Sequence, residues 1–140
     1  MLLPFLLGLC LVFPHIAAAN DSLLQNLYIA PQAQTKPEAL IFYNSANPCE
    51  DCDKAINLTI KILRQNYLDK IHTYLINLNQ HPEFISVFQL QGPLALVIVR
   101  IDDGASFGYR KLESLQSRII SPSDYQTELT EFINNFLGYD

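Results

Sequence analysis

Asn47-Pro48-Cys49-Glu50-Asp51-Cys52 decides how this chain is read, because it sets a Cys-x-x-Cys pair between two stretches of different periodicity. Before it, Ala39-Leu40-Ile41-Phe42-Tyr43 is short, apolar and aromatic, as a buried strand is. After it, Asp53 to Leu68 has helical spacing: Ile56, Ile60, Leu63 and Tyr67 recur every three or four positions, with Lys54, Lys61 and Arg64 on other faces. Leu58 and Ile62 widen the apolar stripe, so this helix is expected to touch a second element besides a sheet. The two sulfurs are thus expected where a strand hands over to a helix.

Downstream, Ile71 to Leu78 alternates as a second strand, with His72, Tyr74, Ile76 and Leu78 on one face and Ile71, Thr73, Leu75 and Asn77 on the other, both largely covered. A short helix is predicted from Pro82 to Phe88, Pro being tolerated at a first helical position. Gln91-Gly92-Pro93 ends it and leads into Leu94 to Ile101, an apolar run that reads as a central strand. Asp102-Asp103-Gly104 is a hairpin signal, and Ser106 to Lys111 is expected to return antiparallel, the sheet changing there from parallel pairing. Leu112, Leu115 and Ile119 suggest a helical turn or ordered loop. Ser121-Pro122 offers a cap for a last helix striped by Tyr125, Leu129, Phe132, Ile133, Phe136 and Leu137, and Gly138 ends it.

Upstream, Met1 to Ala19 carries no charged side chain and contains an apolar run from Leu2 to Phe13, as a signal-peptide core does, although no basic residue precedes it. Ala17-Ala18-Ala19 supplies small residues for cleavage, giving a mature domain over 20–140. A membrane-spanning helix wants about 20 uninterrupted apolar residues, whereas Pro4, Gly8 and Pro14 punctuate this segment; an uncut anchor is the alternative. Leu9 before Cys10 argues against lipidation. The mature chain would open with a short helix over Asp21 to Tyr28, stopped by Pro31, and a polar loop over Gln32 to Pro37. Asn20-Asp21-Ser22 and Asn57-Leu58-Thr59 fit the glycosylation pattern, which matters only in a eukaryotic host; Asn57, inside the predicted helix, is read as a chance occurrence.

The length of 140 residues, with 49% hydrophobic, allows one domain with a real core. A formal charge of −5 and the absence of any Lys/Arg run argue against nucleic acid as a partner. With the leader gone, Cys10 goes too, and Cys49 and Cys52 are the thiols that remain, in a periplasmic or secretory compartment where disulfides persist.

No metal site is expected. Structural zinc takes four ligands, and neither His72 nor His81 has recognisable ligand spacing. Two thiolates suffice for a soft ion such as Cu(I), but copper delivery often adds methionines and the sole Met is Met1. The aromatics, Phe42, Tyr43, Phe84, Phe88, Phe107, Tyr109, Phe132 and Phe136, read as core, some near Pro93 lining a substrate groove.

The resulting order, helix, strand, Cys-x-x-Cys helix, strand, helix, Pro, strand, hairpin, strand, helix, resembles the thioredoxin superfamily across nearly all of 20–140. Three local matches carry the resemblance: the placement of Cys49 and Cys52, the strand exit at Asn77-Leu78-Asn79-Gln80-His81-Pro82, and Gly92-Pro93 before an apolar strand and an Asp-Gly turn. It implies an α/β fold with a central mixed sheet of about four strands flanked by helices on both faces. It also implies a cis peptide bond at Pro93, beside the cysteines, with Gly92 offering backbone hydrogen bonds to substrate.

The implied activity is thiol–disulfide exchange with protein substrates, by a monomer that needs no cofactor and works with a separate redox partner protein. A helix start favours thiolate at Cys49, the nucleophile, and Cys52 one turn along resolves the mixed disulfide. Departures from the family bear on direction. Glu50 and Asp51 stand where many members have Gly-Pro or a basic or aromatic residue, and Pro48 where an aromatic is common. Tyr43 and Leu75 replace the buried Asp and Lys of thioredoxins proper. The two carboxylates oppose ionisation of Cys49, so a reductase or isomerase-like protein is expected rather than a primary oxidase. The alternative is a non-catalytic binding or folding module whose disulfide only ties off the helix start.

Overall fold

The computed structural model describes residues 36–102 and 106–139 and, within them, the side chains of all but 101, 102, 106 and 107. The predicted leader over 1–19, the helix over 21–28 and the hairpin centre at 103–104 lie outside these residues. The chain runs β1 (Glu38–Tyr43), α1 (Cys52–Tyr67), β2 (His72–Asn77), α2 (Glu83–Phe88), β3 (Leu94–Asp102), β4 (Ser106–Glu113), α3 (Leu115–Arg118) and α4 (Pro122–Leu137). The strands form one sheet in the order β2-β1-β3-β4. β1 runs parallel to β2 and antiparallel to β3, and β3 runs antiparallel to β4. The change of sense therefore falls between β1 and β3, one strand earlier than the Asp102-Asp103-Gly104 turn suggests, because the connection through α2 and Gly92-Pro93 already reverses the chain.

Alternation along β1 and β3 divides the core in two. Ala39, Ile41, Leu94, Leu96 and Ile98 face α1, α3 and α4, meeting Ala55, Ile56, Leu63, Leu115, Tyr125, Leu129 and Ile133. Leu40, Phe42, Ala95, Val97 and Val99 face the other way, onto Phe84 and Phe88 of α2. Phe42 lies 5.4 Å from Phe84 and 5.7 Å from Phe88 between ring centroids; each such fully buried side chain contributes roughly 1.5–3 kcal/mol over an exposed one. Both faces of the sheet thus carry helices, as the pattern implies.

Four local readings are corrected. The buried stripe of α1 runs through Cys52, Ala55, Ile56, Thr59, Ile62, Leu63 and Tyr67, with Ile60 only half-buried. Thr59 enters the core because its hydroxyl is satisfied there, donating to Ala55 O at 2.7 Å and lying 2.6 Å from the Tyr125 hydroxyl. β2 is the terminal strand of the order, and only Ile76 within it is fully covered. Leu112 belongs to β4, opposite Leu96, and the chain turns at Ser114, whose φ of 57° is left-handed. Ser121 makes no side-chain cap at α4 and Pro82 stands one place before α2, while Gly138, at φ 76°, closes α4 by donating its N–H to Asn134 O.

Candidate functional site

β1 ends at Tyr43, and the loop to α1 is tied down by asparagine side chains. Ala46 N–H donates to Asn44 Oδ1 at 2.9 Å, and Asn47 N–H to Asn44 O at 3.0 Å. Asn77, at the end of β2, accepts from Ser45 N–H (3.1 Å) and Asn79 N–H (3.0 Å) through Oδ1 and donates through Nδ2 to Ser45 Oγ (3.0 Å). Leu78 N–H reaches Tyr43 O at 2.7 Å. Sequence reasoning missed this role of Asn44 and Asn77; the turn-prone Asn44-Ser45-Ala46-Asn47 is the signal that points to it.

The loop delivers Cys49 to the head of α1, where it is disulfide-bonded to Cys52 with a Cα–Cα distance of 5.2 Å. Cys52 is the first residue of the helix and 8% exposed, and its N–H donates to Cys49 O at 3.3 Å. Cys49 is half-buried, and Pro48, Glu50 and Asp51 are exposed. The more exposed of the two cysteines is thus the N-terminal one, at the positive end of a 16-residue helix. Asp53 adds a third carboxylate to this turn.

Tyr43 and Leu75 pack, half-buried, on the same core as Cys49 and Cys52. Tyr43 and Leu75 thus add a phenol and an aliphatic side chain to the core on which the disulfide packs. Among the described residues the buried carboxylate is Glu38, which opens β1 five residues before Tyr43, about 16 Å along a strand, with its side chain on the opposite face by alternation. Burial pushes its pKa up to about 8.

Gly92 and Pro93 lie at the same end of the sheet, since Leu94 pairs with Tyr43. The amides before Pro93 are engaged within the chain. The Glu113 carboxylate accepts from Gly92 N–H at 3.1 Å and from Gln91 N–H at 3.1 and 3.2 Å, and Lys111 Nζ lies 3.3 Å from its Oε2. Nothing in the sequence marks Glu113, which arrives by the β3–β4 register that pairs it with Ala95. Beside the first turns of α1 runs a groove of about 510 Å³ lined by Asp51, Lys54, Leu58, Gln116, Ile119 and Ile120, the last 89% exposed. Its apolar lining comes from Leu58 of α1 and from Ile119 and Ile120 between α3 and α4. Among the described residues, no three His, Cys, Asp or Glu side chains gather as metal ligands do.

Neither a protein-family model nor any curated protein matches the sequence. Solved structures do match in shape. The Trx4 domain of ERdj5 superposes with a TM-score of 0.62 at 9% identity, over 86% of this chain and 95% of that one. Mitochondrial thioredoxin 3 from Saccharomyces cerevisiae, in its oxidised form, gives 0.58 at 15% identity over 83% and 94%. ERdj5 form II gives 0.62 at 7% identity over 89% of this chain, which spans 15% of that longer protein. Identities this low speak to architecture, and the architecture is unambiguous: with its Cys49–Cys52 pair at the head of α1, the chain has the thioredoxin fold.

Proposed function

We propose that this protein is a thiol–disulfide oxidoreductase that exchanges disulfides with protein substrates through Cys49 and Cys52. The observation that carries the reading is the asymmetry of the pair, with Cys49 half-exposed at a helix N-terminus and Cys52 buried behind it. In the reduced protein the Cys49 thiolate attacks a substrate disulfide, forming a mixed disulfide and releasing one substrate thiolate. Cys52, as its thiolate, then attacks the Cys49 sulfur, closing the protein disulfide and releasing the second substrate thiol. Two electrons pass to the substrate, and a partner dithiol must restore the reduced protein.

The direction proposed is reduction or isomerisation. Glu50, Asp51 and Asp53 place negative charge around the nucleophile and work against its thiolate, and a less stabilised reduced form makes a weaker oxidant. Export is part of the same proposal: the leader over 1–19 is removed and the domain works in a periplasmic or secretory compartment, so the chain recovered from cells begins at Asn20. Tyr43 and Leu75 favour a second reading, a binding or folding module with a structural disulfide, because they leave the position behind the cysteines without the acid and amine of thioredoxins proper.

Trapping separates the two readings. A Cys52→Ser protein accumulates mixed disulfides with its partners through Cys49, whereas Cys49→Ser traps far fewer. Equal trapping by both, or none, supports the structural disulfide instead. Equilibration against glutathione gives the direction, and a potential near about −120 mV, that of strong oxidants, refutes it.

A further inference from the structure

Gln91 and Gly92 present two backbone N–H groups just before β3, on the end of the sheet that carries the disulfide. A polypeptide approaching Cys49 in extended form needs backbone partners, and free main-chain donors at this end of the sheet are what such a strand pairs with. In this protein those donors are taken. Both point at the Glu113 carboxylate, at 3.1–3.2 Å, and Lys111 Nζ lies 3.3 Å from its Oε2.

The contact is built to release without disturbing the sheet. The backbone of Glu113 is fixed separately: it pairs with Ala95, and its carbonyl accepts from Arg118 Nε at 2.7 Å, with Arg118 in turn bonded to Glu128 of α4. Displacing the carboxylate is therefore a side-chain rotation. A Cβ at Gly92 would stand 3.6 Å from Glu113 Oε1 and 3.8 Å from Ser114 Oγ, ordinary contact distances, so the carboxylate lies directly against this backbone.

We infer that Glu113 is a specificity-determining residue: its carboxylate competes in place for the Gln91 and Gly92 amides, so an extended polypeptide is held beside Cys49 only after displacing it. The inference rests on the exchange reading above and deepens it. Bonds from N–H to a carboxylate are charge-assisted and stronger than those a neutral peptide carbonyl accepts. The resident group therefore weakens peptide binding, and it does not bear on a disulfide too small to reach those amides.

The test is single-turnover oxidation of the reduced full chain by two uncharged substrates, 2-hydroxyethyl disulfide and a short neutral peptide with an intrachain disulfide. In Glu113→Ala the half-saturating peptide concentration is expected to fall roughly tenfold, the order of one charge-assisted bond. The ratio of peptide to small-disulfide efficiency rises by the same factor. Glu113→Gln, which keeps an acceptor oxygen without the charge, falls between. Independently of turnover, the Gln91 and Gly92 amide resonances move and exchange faster with solvent in Glu113→Ala. An unchanged or lower ratio, or amides that do not respond, overturns the inference alone. A wild-type protein inert toward 2-hydroxyethyl disulfide overturns the exchange reading and this inference with it.

Discussion

Glu38 opens the central strand with its side chain fully buried, and burial raises its pKa from 4.5 to about 8. An unfolded chain gives up this proton near 4.5, so between the two values the folded protein binds one more proton than the unfolded one. The contribution to stability is therefore full at acidic pH, declines as pH rises through the neutral range and is lost above about pH 8. At about 1.36 kcal/mol per pH unit the loss amounts to at most about 5 kcal/mol, against a total stability of about 5–15 kcal/mol for a domain. Glu38→Gln keeps the shape of the protonated acid and cannot ionise. Urea unfolding of both proteins should give stabilities within about 1 kcal/mol at about pH 5 and a clear advantage for Glu38→Gln, about 3–5 kcal/mol, at about pH 9. If the offset between the two proteins is the same at both pH values, the folded-state carboxyl is not held neutral and the reasoning fails.

Two further predictions concern the site and its support. Neutralising Glu50 and Asp51 together, as Gln and Asn, removes like charge beside the Cys49 thiolate and should raise the reduction potential by about 10–30 mV against glutathione; a fall would show that the carboxylates act some other way. Tyr125→Phe removes the 2.6 Å bond between α4 and Thr59 of α1 and should destabilise the fold by about 1–2 kcal/mol in urea. In a Thr59→Ala background the same change should cost about half that or less, because the partner is already gone.

The architecture was legible wherever one face of an element meets the core. The continuous apolar runs of β1 and β3 and the stripe of α4 belong to the sequence itself, and the Cys49 and Cys52 positions follow from the junction between a strand run and a helical period. What escaped were contacts fixed by register. Glu113 reaches Gln91 and Gly92 across more than twenty residues of sequence because Ala95 and Glu113 are paired; local composition says nothing of that. Thr59 reads as a surface residue until Tyr125 supplies its partner. Glu38 falls between the polar loop and the apolar run with no signal of burial, because a carboxylate at a strand start is ordinarily solvated. Leu112 reads with Leu115 and Ile119 as a helical turn or ordered loop, and only its pairing with Leu96 assigns it to β4.

The asparagine network before the cysteines bears on how a redox cycle would strain the molecule. Asn77 anchors the loop at Ser45, and Asn44 closes its own turn through Ala46 and Asn47, without help from either sulfur. Opening the disulfide therefore leaves Asn44 to Asn47 fastened to the ends of β1 and β2, and the freedom gained is confined to Pro48 through Asp51. In the exchange proposed above, only that corner would need to relax between the oxidised and reduced forms, while the hydrogen bonds that hold it to β1 and β2 stay in place.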